Sequence, residues 1–451
     1  MTLRHDRPIV GVIGFNLFTL LVFVTAPVRW RTDNLILLCV FVLLCQFLVF
    51  LGFWFGRRTG GTMPGTYKPP FIDGRSLVRT LFIVYVITLP MSYAYRLELA
   101  PFDIPGIISR LVAGIRDPHF GYAATQEKTG LGPVPWSAFF LVSIFNQLFF
   151  PVGFLYWRQL RAAAKVVFVI LLGIDLFYWI GIATSFGVVS LVTTFGLSTM
   201  FWPAHPRRTV RQRASRIVVL VLLLGGTIAF FSHNLYRRSN FVQVDVSQYE
   251  VARSEIILDH QAFALVPEPL WPTYIMVVTY LGQGYYHTCF AFDLEFRPTG
   301  LVGNNTALIS LARLFGVDVW NDTYMHRLHR QGIDEYGVWH SAYTWFASDV
   351  SFFGVPVLLF VVGYLFGFSW GQGLTGDFLS RVVFIMFGNI LLFLFANNTY
   401  LASVFYAFMV FVPLWMVTRF SAVGIAAGSG RRSELSRPTA AGPPPTNARV
   451  E

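Results

Sequence analysis

Charge is scarce in this chain. Asp, Glu, Lys and Arg together make up 13% of its 451 residues, where soluble proteins carry roughly 25%. That argues against a water-soluble globule of this size, because too little charge remains to cover its surface. Cysteine is scarce too. Cys39 and Cys45 share one apolar run and Cys289 lies far away, so no disulfide framework is implied. Acids number 23 against 34 bases. In a membrane protein such an excess reports orientation rather than nucleic-acid binding. Motifs with dedicated chemistry are missing as well. No Gly-rich loop runs into Lys and Ser/Thr, no Gly-x-Ser-x-Gly elbow occurs, and no zinc spacing appears. Neither a cofactor nor a metal is therefore expected.

Apolar residues are abundant instead, at 55%, with 46 Phe. About 20 consecutive apolar residues suffice to cross the hydrocarbon, and helices satisfy their own backbone there. The expected fold is an all-α polytopic membrane protein of about ten transmembrane helices. The spans read near 9–27, 35–56, 77–94, 136–156, 165–185, 187–203, 217–233, 350–369, 382–396 and 400–418. The basic stretch Met1 to Pro8 resembles a signal peptide but lacks a convincing cleavage site, so it reads as the lead into a first span.

Basic clusters test that count. They follow the second, fourth, sixth, eighth and tenth spans, as in Arg57-Arg58, Arg158 with Arg161 and Lys165, the run from Arg207 to Arg216, Arg381, and Arg419 with Arg431-Arg432. Arg4 and Arg7 precede the first. Ten spans put every cluster on one side, which predicts both termini in the cytoplasm. The fifth and sixth spans must then join through a tight turn near Phe186-Gly187. The expected organisation is a seven-span bundle over 1–233, a large external loop over 234–349, closing spans over 350–421 and a disordered tail over 422–451. Trp271 to Phe292 reads as a re-entrant or interfacial segment, because a further span would break the parity.

The large loop carries the chemistry. It holds five of the nine histidines, and between Asp293 and His340 it has six acids against four arginines. Candidate proton-handling groups are His260, His287, His326, His340 and Asp349. Candidate phosphate-gripping groups are Arg253, Arg297, Arg313 and Arg327, since arginine binds phosphate oxygens in a fork. Transfer of a sugar from a lipid diphosphate to another sugar needs both sets: a base for the acceptor hydroxyl and positive charge for the leaving diphosphate. The blander readings are a solvated helix face for 326–330 and a locally satisfied His287. Asp293 and Glu295 could share one side of an extended segment, a weak metal signal. Asp175, in the fifth span, is either functional or bonded to a neighbouring helix.

The stretch from Tyr280 to Gly367 resembles the Wzy-type polymerases, which join O-antigen and oligosaccharide repeat units in bacterial envelopes. Gly282-Gln283-Gly284-Tyr285-Tyr286, Gly300 to Thr306, and His340 to Asp349 leading into Phe353-Gly354-Val355-Pro356 carry the likeness. They cover about a fifth of the chain. The resemblance implies a GT-C-like bundle in the bacterial inner membrane, its active loop in the periplasm. It implies undecaprenyl diphosphate-linked oligosaccharides as substrates, with Tyr285, Tyr286, Asn304 and Asn305 contacting them. A chain-length regulator and a flippase of the same pathway are the implied partners. One departure is plain: Thr184-Ser185-Phe186-Gly187 stands where relatives carry an Arg-Gly step, so the phosphate grip falls to arginines such as Arg253, Arg297 or Arg313. Rival readings are an O-antigen ligase, a lipid-oligosaccharide flippase and a membrane acyltransferase. A flippase would want charge at mid-depth, and an acyltransferase a histidine late in an early span.

Overall fold

A computed structural model describes residues 6–62, 74–100, 102–126, 136–202, 218, 225–234, 254–333, 340–396 and 398–435. Its long elements are all helices: α1 (Arg7–Thr25), α2 (Leu35–Thr62), α3 (Gly74–Leu97), α4 (Ile104–Arg116), α5 (Pro118–Gln126), α6 (Trp136–Tyr156), α7 (Ala162–Gly181) and α8 (Phe186–Thr199). After α9 (225–234) come α10 (Trp271–Ala291), α11 (Thr306–Leu314), α12 (Tyr324–His329), α13 (Ala342–Leu374), α14 (Phe378–Leu392) and α15 (Thr399–Leu435). Two short strands, β1 (Val28–Arg29) and β2 (Glu255–Ile256), pair antiparallel. Among the described residues five helices are long and apolar enough to cross a bilayer: α1, α2 to Gly61, α7, α13, and α15 over Tyr400–Arg419. Val78–Ala94, Phe186–Thr199 and Phe378–Leu392 are apolar but shorter. The chain is a helical membrane protein.

Glycine spacing sets the central helix pair. Gly52, Gly56 and Gly60 lie on one face of α2, and Gly363, Gly367 and Gly371 on one face of α13. A Cβ at Gly56 would overlap the Tyr364 carbonyl, and one at Gly367 the Phe53 carbonyl. Small residues four apart let two backbones touch, and dispersion rather than water expulsion holds such pairs in lipid. Val49 meets Gly363, Phe53 meets Gly367 and Arg57 meets Gly371, so the two helices run parallel.

The α13 helix is two pieces. Ser351 sits at φ 59°, ψ 167°, a conformation that costs roughly 1–3 kcal/mol in a non-glycine residue. Before it, Tyr343 reaches Phe41 and Gln46. After it, Phe352 packs on Phe41, and the contacts then follow the length of α2. The piece 342–350 therefore rises from within the bundle, and the piece after Ser351 runs back along it.

One face of the bundle collects a group of basic residues. Arg57 pairs with Asp6, and Arg419 with Asp377. Arg58 lies over Trp54, Arg158 over Trp202, Lys165 over Trp157 and Arg381 over Phe201. Phe201 packs on Trp370 of α13, which ties these groups into one surface. The opposite face carries the α1–α2 connection, β2 and the α10–α12 segment. Both ends of α10 meet that connection: Val278 clusters with Ala26 and Val28, and the Asn34 amide donates to the Cys289 carbonyl at 3.0 Å. So α10 begins and ends on one face, as a continuous 21-residue helix.

Two local expectations differ from the structure. The α7–α8 turn occupies 182–185, and Phe186 already opens α8. Gly187 serves packing instead of turning, because a Cβ there would overlap the Trp179 ring. The α15 helix also continues to Leu435, beyond the expected start of the tail at 422. Residues 436–451, and residues 217 and 219–224 of the seventh expected span, lie outside the described residues.

Candidate functional site

The deep part of the site grows from the start of α13. Ser341 caps it, its Oγ accepting from the Thr344 amide at 3.3 Å, which satisfies an orphan first-turn donor. The Ala342 amide donates to the carbonyls of Leu394 and Ala396 beyond α14. Gly284 of α10 leaves room for the Phe395 carbonyl and Ser341 backbone. Thr288, one turn on, donates its hydroxyl to the Gly284 carbonyl at 2.7 Å. Its oxygen stands 2.7 Å from Ser341 Oγ and 3.0 Å from Thr344 Oγ1. With its own proton committed, Thr288 accepts from one of these two hydroxyls.

Two histidines adjoin this hydroxyl cluster. The rings of His287 and His340 lie 5.1 Å apart, and both side chains are buried. Neither ring nitrogen of His340 has a hydrogen-bond partner among the described residues. Burial, and then the proximity of His287, pushes the His340 pKa well below the ordinary histidine value. His340 is thus a neutral imidazole at neutral pH, with both nitrogens uncommitted. A buried polar group without partners is rare enough to need a reason.

The rim of the site is organised around Asp349. Its carboxylate accepts from the Gly303 amide at 2.8 Å, the Asn304 amide at 3.0 Å, the Thr299 hydroxyl and the Asn304 side-chain amide. Asp349 therefore anchors loop 299–304 to the piece of α13 before Ser351. Asn305 caps α11 by accepting from the Ala307 amide at 2.8 Å, and the Asn398 amide donates to the Asn304 carbonyl. Both asparagines named from sequence hold this loop in place.

Arg327 projects from α12, which the Thr323 hydroxyl caps. Its Nη1 donates to the Glu295 carbonyl at 2.6 Å, and its guanidinium lies 4.8 Å from the Tyr324 ring centre. Among the described residues its Nε and Nη2 have no partner, although Arg327 is only 7% exposed. Desolvation lowers its pKa from the usual arginine value, yet an arginine keeps its charge. Among the described residues no carboxylate pairs with it.

The remaining candidates scatter. Arg297 is exposed and lies 3.7 Å from Asp322, and exposed Arg313 lies 3.2 Å from Asp318. His326 sits by Trp320 and stacks with His329 on the outer side of α12. His260 lies before α10, where its Nδ1 accepts from the Ala262 amide at 3.2 Å; the length of α10 separates it from His287. Arg253 lies outside the described residues. Tyr285 and Tyr286 are fully buried: Tyr285 bonds Thr19 at 3.0 Å and Tyr286 packs on Trp30, so both brace α10 against α1 and its connection.

Asp175 forms a second buried polar cluster. Tyr85 and Tyr93 of α3 donate to one carboxylate oxygen at 3.3 and 3.2 Å, and Trp179 donates to the other at 2.9 Å. An adjoining cavity of about 80 Å³ is bordered by Arg96, Asn146 and Gln147. Here the bond to a neighbouring helix, one of the two sequence readings, is present.

Sequence reasoning missed Thr288, Ser341, Thr344 and Asn398. The Ser341-x-x-Thr344 spacing, a capping pattern before an aromatic-rich run, was the available signal for two of them. Thr288 gave none, since a threonine in an apolar helix commonly just bonds back to the preceding turn. Compared with known proteins, the chain matches no family model, no curated protein and no solved structure.

Proposed function

We propose that this chain is a glycosyltransferase of the bacterial inner membrane. In this reading it joins oligosaccharide repeat units carried on a polyprenyl (undecaprenyl) diphosphate into a longer chain at the periplasmic face. The observation that carries the proposal is the neutral His340 imidazole, buried with neither ring nitrogen bonded among the described residues; Arg327, on the same loop assembly, has its Nε and Nη2 without a partner there. The acceptor sugar hydroxyl would give its proton to a His340 ring nitrogen as its oxygen bonds the donor anomeric carbon. The bond from that carbon to the diphosphate oxygen would break, and Arg327 would take up the charge on the departing diphosphate. Arg297 at the rim would attract the anionic lipid head.

The basic face supports a cytoplasmic position for both termini. The ten-span topology then consists of α1, α2, α3, α6, α7, α8, the segment ending in α9, α13 after Ser351, α14 and α15. The histidine-bearing loop would face the periplasm under the same assignment.

Deletion of the gene tests the reaction. A polymerase loss leaves single repeat units on the lipid, exposed at the outer face. Full-length polymer that stays unattached would instead assign the chain as a ligase. Repeat units stalled on the cytoplasmic face would make it a flippase. Either result overturns the polymerase reading.

A further inference from the structure

Among the described residues, most cations of the basic face are committed. Arg57 and Arg419 have carboxylates, and Arg58, Arg158, Lys165 and Arg381 have rings. Arg7 is exposed at the start of α1. Arg79 and Arg161 differ from all of these. Among the described residues neither has a carboxylate, ring or hydrogen-bond partner, and both border one groove of about 410 Å³. Gln159 adds an amide to the same rim. The walls are apolar: Val78 and Phe82 from α3, and Leu160, Ala164 and Val167 from the start of α7. A volume of this size falls within the roughly 300–1,000 Å³ typical of small-ligand sites.

The groove does not end in a closed wall. Val167, Ile170 and Ile174 form an exposed apolar row that continues along α7, at 41%, 55% and 41% exposure. Ile83, Val86 and Ile87 do the same on α3. Two arginines at the mouth and a greasy track leading toward mid-membrane describe the two ends of one kind of molecule. Arginine forks suit phosphate oxygens, and the cytoplasmic leaflet is where anionic lipids meet basic protein surfaces.

We infer that the Arg79–Arg161 groove is a binding site for one anionic phospholipid, its phosphate held by the two guanidiniums and one acyl chain laid along α3 and α7. The site is separate from the histidine-bearing loop and does not depend on the glycan-transfer reading. Because Val78 and Phe82 belong to α3 and Val167 to α7, an occupying lipid would fasten these two helices at their basic ends. The same helices are joined further along by the Asp175 bonds.

The test uses the full-length protein in nanodiscs of phosphatidylcholine with one tenth phosphatidylglycerol, released into the gas phase for native mass spectrometry. The wild type should retain one phosphatidylglycerol that survives mild activation, enriched about tenfold over its share of the bilayer. The double variant Arg79→Gln/Arg161→Gln should lose that enrichment, and Arg7→Gln should keep it. Ala164→Trp, which fills the groove and leaves both charges, should also lose it, so poor folding of the double variant cannot hide the answer. Retention of phosphatidylcholine equal to that of phosphatidylglycerol in the wild type would overturn the inference. So would an Arg7→Gln loss as large as that of the double variant, because diffuse charge would then explain the effect. Unchanged enrichment in Ala164→Trp would overturn it as well.

Discussion

Asp175 and His340 are both polar groups buried in a membrane protein, and their surroundings differ in kind. Asp175 receives three hydrogen bonds from tyrosine and tryptophan side chains of its own and a neighbouring helix. His340 receives and gives none among the described residues. Burial of polarity therefore does not by itself mark a reactive centre. A satisfied group fastens helices, and an unsatisfied one has chemistry left to offer. The same contrast separates Asp349, which holds four donors, from Arg327, which has two nitrogens without a partner among the described residues.

The largest expected effect breaks the comparison at Arg327. Removing a group that stabilises transition-state charge costs on the order of 100- to 1,000-fold in rate. Arg327→Ala should lower repeat-unit joining by about that factor at normal protein abundance, measured as chain-length distribution on a gel. Arg327→Lys should recover only part, because a point charge does not replace a fork. Asp175→Asn is the matched control. It should lower thermal stability and leave chain length unchanged per folded molecule. Wild-type polymer from Arg327→Ala would remove the arginine from the reaction.

A smaller effect is expected at Asp349, and it sharpens the line between anchor and reagent. Asp349→Ala strands the Gly303 and Asn304 backbone amides around an absent acceptor, while the Thr299 hydroxyl keeps the Ser348 carbonyl and the Asn304 side chain keeps the Leu301 carbonyl. Each stranded group costs about 1–3 kcal/mol, softened wherever water enters. A net loss of about 3 kcal/mol is expected, read as a lower melting temperature in detergent. Asp349→Asn keeps the shape and one acceptor, so it should melt between the two and still join repeat units. A variant Asp349→Asn with normal melting and no product would make the carboxylate a reagent after all.

Much of the fold around these groups is legible in the sequence. The apolar runs and the one-sided arginines point to the helices and to the basic face, because lipid and charge impose strict rules on sequence. The separation of anchors from reagents was not legible. Asp349, Asn304 and Asn305 look like reagents in a sequence because their residue types can do chemistry. Their partners are backbone amides and carbonyls, which every residue has and no pattern announces. Ser351 was equally silent: an ordinary serine between helical neighbours gives no sign of a positive φ. The four-residue spacing of the glycines at 52, 56 and 60 and at 363, 367 and 371 stands in the sequence of both helices but was not read there. Only contact between the two, however, shows that they face each other.

The smallest expected effect concerns pH and returns to His340. Its folded-state pKa is held well below the free value by burial and by His287. The unfolded chain therefore binds a proton there first as pH falls. The sign follows directly: stability is fully present above about pH 6.5, the free histidine value, and is lost as pH drops below it. The slope contributed by one such group is at most about 1.4 kcal/mol per pH unit. Melting temperature in detergent should fall between pH 6.5 and 5, and His340→Phe should flatten that fall. An acid slope unchanged in His340→Phe would mean that the imidazole is already protonated or already partnered in the folded protein. The distinction between a satisfied Asp175 and an uncommitted His340 would then no longer hold.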